Sequence, residues 1–176
     1  LLYLSIGKNG DTVPLADEFE HIHHYLHLMN IRYPGRFSLQ MELPEELRQC
    51  RTIRLILQPI VENCLQHGLK SRGGLVRVAA AREGRDVVIS VADNGQGMSR
   101  SQLDSVWKRE RNRPGIGVRN VDERLKLSFG PEYGLSLTSA RGRGTTAYLR
   151  IPFDCPEALR DRGPGREQLR SGHDVA

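Results

Sequence analysis

The sequence predicts an α+β domain, a two-layer sandwich in which helices pack on one face of a mixed, mostly antiparallel sheet. Three observations lead there. Apolar residues recur at helical spacing in three stretches. Apolar runs or apolar/polar alternation mark five strands, four of them in two short-turned hairpins. The elements follow as helix, strand, helix, hairpin, glycine-rich loop, helix, hairpin, and helices segregated in this way share one side of a sheet. A chain of 176 residues has single-domain size and can bury roughly 70% of its unfolded surface.

The first helix is expected from Pro14 to about Tyr33. Proline suits a first helical turn, and Asp17, Glu18 and Glu20 favour its positive end. Phe19, Ile22, Leu26, Met29 and Tyr33 then form one apolar stripe, which Pro34-Gly35 ends. Phe37–Leu43 alternates strictly and reads as a half-buried strand. Residues 51–69 read as a second helix closed by Gly68, with Pro59 kinking it or confining its regular part to the residues after the proline. Leu75–Arg82 and Asp86–Ala92 form a hairpin. The second of these strands, VVISVA, is so apolar that it is expected in the centre of the sheet, covered on both faces. Residues 93–117 read as a polar, glycine-containing loop, 118–129 as the third helix, and Leu135–Ala140 with Thr145–Ile151 as the last hairpin.

Hydrophobic residues make up 38% and charged residues 27% of the chain, which excludes a disordered or fibrous protein. Its apolar runs fall far short of the ~18 residues of a membrane span. Residues 1–6 read as the cut end of an apolar helix, so a longer parent protein is expected. Cys50, Cys64 and Cys155 show neither zinc-site spacing nor a disulfide framework, pointing to a reducing compartment. A net charge of +5 suggests anionic partners in general. Aromatic residues, at 6%, do not alternate with Lys or Arg, and no direct nucleic-acid contact is expected.

Three segments carry candidate chemistry. In Gln58–Gly68, Asn63 and His67 lie four apart and leave one helical face, and an Asn oxygen is a hard ligand suited to Mg²⁺ beside phosphate. Taken alone, the two residues are better described as the polar side of a half-buried helix. In Asp93-Asn-Gly95-Gln-Gly97, a carboxylate at a strand end can accept an amino group, while glycines permit close approach of a flat ligand. The same residues also describe an ordinary turn. Pro114-Gly115-Ile116-Gly117 runs into a helix whose free N–H groups would face an anion, yet the segment is neither a Walker loop nor a Rossmann fingerprint. The cations around it read mostly as a solvated loop.

Taken in order, these segments resemble the GHKL ATPases, which include gyrase, heat-shock chaperones and histidine kinases. Asn63 stands as the asparagine box, DNGQG and GIG as two glycine boxes, and Gly144-Thr145 before the last strand. Within that superfamily LQPIVENCLQHG and GIGVRNVDERL are most similar to LytS-like sensor histidine kinases, over about residues 12–153. The resemblance implies a Bergerat-type ATP-binding fold at 14–153, the end of an upstream helix or linker at 1–13, and a tail at 154–176. It implies ATP and Mg²⁺ as ligands. Asn63 would hold Mg²⁺, Asp93 the adenine amino group, and Gly95, Gly97 and Thr145 would shape the pocket. His67 would lie beside the nucleoside, and Gly115, Ile116 and Gly117 would belong to a 98–117 lid. Glu62 is the candidate catalytic base, because the gyrase-type base position holds Pro59; Gln66 replaces a common lysine.

The implied activity is transfer of the ATP γ-phosphoryl group to a histidine outside this chain, then to a response regulator. The implied setting is a cytoplasmic domain of an inner-membrane-anchored sensor that dimerises through regions not present here. The competing readings are a non-catalytic nucleotide-binding or pseudokinase module and, second, a basic interaction domain that would bind nucleic acid. His21, His23, His24 and His27 cluster in the first helix and read as structural or surface residues.

Overall fold

The computed structural model describes residues 12–70, 73–108 and 116–155. The chain opens with a short strand β1 (Thr12–Pro14) and helix α1 (Leu15–Arg32), followed by β2 (Phe37–Glu42) and β3 (Arg51–Ile53). Helix α2 (Gln58–Asn63) continues as a wider π-type turn through Cys64–Gly68. Then come β4 (Gly74–Glu83), β5 (Asp86–Asp93), α3 (Arg100–Val106), α4 (Ile116–Phe129), β6 (Gly134–Ala140) and β7 (Gly144–Pro152).

The main sheet has the order β2-β4-β5-β7-β6, with β2 parallel to β4 and all other neighbours antiparallel. Leu15, Phe19, Ile22 and Leu26 of α1, and Val118, Val121 and Leu125 of α4, bury against it, as their helical spacing requires. From the sheet Val76, Val78, Val87, Ile89, Val91, Leu149 and Ile151 meet them, all essentially without solvent contact. Burying each such aliphatic side chain contributes about 1.5–3 kcal/mol. The α+β architecture with a mixed sheet is therefore the one the periodicities predict.

Several elements differ from the sequence reading. Burial in β5 alternates residue by residue, so this central strand is covered on one face only and Val88, Ser90 and Ala92 face outward. Small outward side chains beside Val88 make its apolar run look doubly covered. Residues 51–57 are not helical. Arg51–Ile53 pairs with Thr12–Pro14, and Pro59 falls in the first turn of α2, where its missing N–H leaves no carbonyl unpaired. The β1–β3 pairing also ties residues 12 and 13, read as linker, to the domain.

Helix α3 lies where a loop is expected, although Ser99 and Gln102 form the reciprocal capping box that marks a helix start. Cys50 and Cys155, both buried, are joined by a disulfide across 105 residues of sequence, which overturns the expectation of no disulfide. Their spacing hid the pair; the hydrogen bond from Arg51 N to Asp154 O brings the two segments together. Of the expected tail only Asp154 and Cys155 fall within the described residues.

Candidate functional site

Asp93 ends β5, where the sheet register sets it between Val76 of β4 and Thr145 of β7. It is one of few buried polar residues among those described, 7% exposed. Its Oδ1 accepts the Gly95 N–H at 2.8 Å, closing the turn after β5. Burial pushes its carboxyl above the usual value, opposed by hydrogen bonds from the Gly95 N–H, the Cys64 thiol and the Thr145 N–H. Burial also pushes the Cys64 thiol well upward, reinforced by the negative charge of Asp93 and the hydrogen bond to it.

The π-type turn after α2 packs against this carboxylate so closely that only glycine fits at position 68. A Cβ on Gly68 would stand 2.5 Å from Asp93 Oδ1 and 2.9 Å from Oδ2. Gly97 takes φ 61°, a left-handed conformation, and a Cβ there would run into the Ala140 carbonyl. Gln96 links the pieces, its N–H reaching Gly68 O at 3.0 Å and its Nε2 reaching His67 O at 2.8 Å. The Met98 N–H donates to Ser139 Oγ, which is itself 2.8 Å from Thr145 Oγ1.

Several of these groups line a cleft that is partly open to solvent. Asn63, Cys64, His67 and Gly68 form one wall, Asp93, Gly97 and Thr145 the polar end, and Ile60, Val91, Val118, Leu137 and Ala147 an apolar floor. An apolar slot with a few convergent polar groups suits a flat heterocycle. Asn63 Nδ2 is buried and has no hydrogen-bond partner among the described residues. A Cβ on Gly117 would stand 3.5 Å from that Nδ2, so the first turn of α4 sits directly over the Asn63 carboxamide. An orphaned amide donor beside a helix N-terminus fits an anionic acceptor such as phosphate, and the oxygen of the same carboxamide is the atom type suited to a hard cation.

The structure thus brings Asn63, His67, Asp93, Gly97 and Thr145 to one cleft, with Gly95 and Gly117 against its walls. Ile116 opens α4 and is 53% exposed. Gly115 lies outside the described residues, as do residues 109–114 of the expected lid. Glu62 lies on the α1 side of α2, where its Oε1 accepts Gln58 Nε2 at 2.8 Å. Tyr25 of α1 is raised by burial and then by the charge of Glu62. His21 bonds Gln58, His23, His24 and His27 are exposed, and no cluster of metal-ligating residues occurs among the described residues. Gln96 and Cys64 went unread as site residues. The glutamine sits within the DNGQG string, but the thiol's proximity to Asp93 leaves no sequence signal.

A cleft of this kind, on one face of a mixed sheet beneath a helix N-terminus, suits a flat ligand that carries an anionic group. Residues 49–154 match the family described as histidine kinase-, DNA gyrase B-, and HSP90-like ATPase, and the chain belongs to it. The sensor histidine kinase YesM of Bacillus subtilis is 34% identical over 154 residues, 86% of this chain and 26% of that protein. BtsS of Escherichia coli, also a sensor histidine kinase, is 32% identical over 151 residues, 85% of this chain and 25% of its own length. The chain thus spans about a quarter of the length of these curated relatives. Among solved structures, the catalytic domain of histidine kinase ThkA superposes with a TM-score of 0.62 at 11% identity, covering 82% of this chain and 97% of that one. The histidine kinase domain of the Erythrobacter litoralis blue-light activated kinase gives 0.56 at 22% identity, covering 80% and 62%.

Proposed function

We propose that this chain is the ATP-binding catalytic domain of a two-component sensor histidine kinase. The observation that carries the reading is the pairing of a buried carboxylate, Asp93, with the unpartnered Nδ2 donor of Asn63 in one largely apolar cleft. In this reading Asp93 accepts the exocyclic amine of adenine, with Gly95 and Gly97 keeping the backbone close and Thr145 completing the polar end. His67, on the exposed rim, lies beside the nucleoside. The phosphates extend toward Asn63 and the N-terminus of α4, where Gly117 lets the helix dipole approach them. Gly115, Ile116 and Gly117 form part of the lid.

Asn63 would hold Mg²⁺, which would supply positive charge beside the ATP phosphates. The P–O bond to ADP breaks as a bond to an imidazole nitrogen forms. Neutral imidazole supplies its own lone pair, so the chain's task is chiefly positioning. Glu62, bonded to Gln58, supports that task by steadying α2 more readily than by abstracting a proton. The acceptor histidine lies on an upstream helical domain of the same protein, and an aspartate of a response regulator receives the phosphoryl group next. The parent is then a dimeric, inner-membrane-anchored sensor with this domain in the cytoplasm. Among the described residues no helix is long and apolar enough to cross a membrane.

The test is phosphotransfer. With labelled ATP and Mg²⁺, the chain should label a separately supplied phosphoacceptor domain from its own protein. Asp93→Asn and Asn63→Ala should each abolish the label. Tight Mg²⁺-ATP binding with no transfer to any supplied acceptor would favour a non-catalytic nucleotide-binding module.

A further inference from the structure

Helix α1 precedes the family match, which begins at residue 49, yet its side chains reach into the segment that starts α2. Glu18 is 2% exposed, an unusual place for a carboxylate. Its Oε1 accepts the Leu55 N–H at 2.6 Å, and its Oε2 accepts the N–H groups of Ile56 at 2.9 Å and Leu57 at 3.2 Å. Leu57 is the N-cap of α2, which has no side-chain cap of its own. Glu18 therefore satisfies, from another helix, the N–H of the N-cap residue and those of the two residues that lead into it. Leu55 takes φ 56°, a left-handed conformation that is strained for leucine. The three bonds hold that turn from inside, and Arg124 of α4 holds it from outside through Leu55 O and Arg54 O.

A second contact runs along the side of α2. His21 Nε2 lies 2.7 Å from Gln58 Oε1, and Gln58 Nε2 donates to Glu62, the residue before Asn63. Asn63 lies six positions beyond Leu57, about 9 Å along the helix at 1.5 Å per residue. So short a helix moves as one body, and a shift at its start is carried to the Asn63 carboxamide.

We infer that Glu18 is a positioning residue for Asn63, holding α2 so that its carboxamide faces the cation and phosphates. The upstream helix α1 is by this route a direct lever on the nucleotide site. The inference rests on the reading of Asn63 as the Mg²⁺ ligand.

The test uses the 176-residue chain with Glu18→Gln, which keeps size but sets an amide N–H₂ against backbone donors. ATP affinity is measured with Mg²⁺ and with chelator, and amide exchange is followed at residues 55–57. The ratio of the two affinities should fall about fivefold or more, the effect of losing a hydrogen bond to a charged group. Chelator-state affinity should stay within about twofold of wild type, as expected of a site whose adenine end is intact. The Leu55, Ile56 and Leu57 amides should exchange about tenfold faster. An unchanged ratio, or equal losses with and without Mg²⁺, overturns the inference; equal losses would mean Glu18 serves only the fold. A wild-type chain that binds ATP with no Mg²⁺ dependence refutes the Asn63 reading itself, and this inference with it. Should Glu18→Gln fail to fold, Glu18→Asp keeps the charge with a shorter reach and is judged by the same two readouts.

Discussion

Replacing Gly68 by alanine adds one methyl group at the tightest point of the cleft. Its Cβ would lie 2.5 Å from Asp93 Oδ1, 2.7 Å from Cγ and 2.9 Å from Oδ2, all well inside van der Waals contact. Asp93 has little room to retreat: it is buried, lies in a strand paired on both sides, and is held by the Gly95 N–H at 2.8 Å. Either the π-type turn or the carboxylate must move. Overpacking of this kind costs about 1–3 kcal/mol. We expect the variant to lose stability of that order. We also expect ATP affinity to fall by about 5- to 100-fold, since the carboxylate leaves the place where it faces the adenine amine. Thermal or urea unfolding and calorimetric ATP titration read the two effects. Gly117→Ala is the contrast within the same site, because its Cβ would make only ordinary contacts, the nearest at 3.5 Å, within a helix. That change should leave the fold as stable or raise it by up to about 1 kcal/mol. A Gly68→Ala chain with wild-type stability and wild-type ATP affinity would refute the placement of Asp93.

Burial raises the Asp93 carboxyl, so the folded chain holds that proton to higher pH than the unfolded chain does. Between the two values this group's contribution to stability falls as pH rises, whereas ATP affinity, which needs the ionised acceptor, rises. Opposite slopes across the acidic range are expected from parallel denaturation and binding series of the wild-type chain, with the stability slope lost in Asp93→Asn; parallel slopes would contradict this. Cys64→Ala removes a thiol hydrogen bond that favours the ionised carboxylate, so the acidic limb of ATP binding should move to higher pH, and an unmoved limb counts against the contact. Breaking the Cys50–Cys155 disulfide with reductant, or by Cys155→Ser, should cost about 2–4 kcal/mol in urea unfolding, and an unchanged midpoint would contradict its contribution.

Much of the fold was legible because its signals are local. The stripe Phe19, Ile22, Leu26 places α1, and the two-residue turn at Gly84-Arg85 marks the β4–β5 hairpin. What escaped depends on partners far away in sequence. Arg51–Ile53 is a strand only because Thr12–Pro14 lies beside it, three residues being too short for a periodicity. The Cys50–Cys155 bond and the Glu18 hydrogen bonds each join segments that no spacing rule connects. At the site, Asn63, Asp93 and Gly117 could be named because their three motifs, each ambiguous alone, resemble a known family when taken in order. The role of Gly68 could not. It reads as a helix terminator, whereas the structure shows its missing Cβ to be space that Asp93 occupies.

The most direct test of the Asp93–Asn63 nucleotide site is a calorimetric titration of the chain with ATP, with and without Mg²⁺, beside Asp93→Asn and Asn63→Ala. Wild type should bind ATP, and more tightly with Mg²⁺. Asp93→Asn should not bind, and Asn63→Ala should bind without responding to the metal. A folded wild-type chain that binds no ATP, or an Asp93→Asn variant that binds as wild type does, would contradict the site.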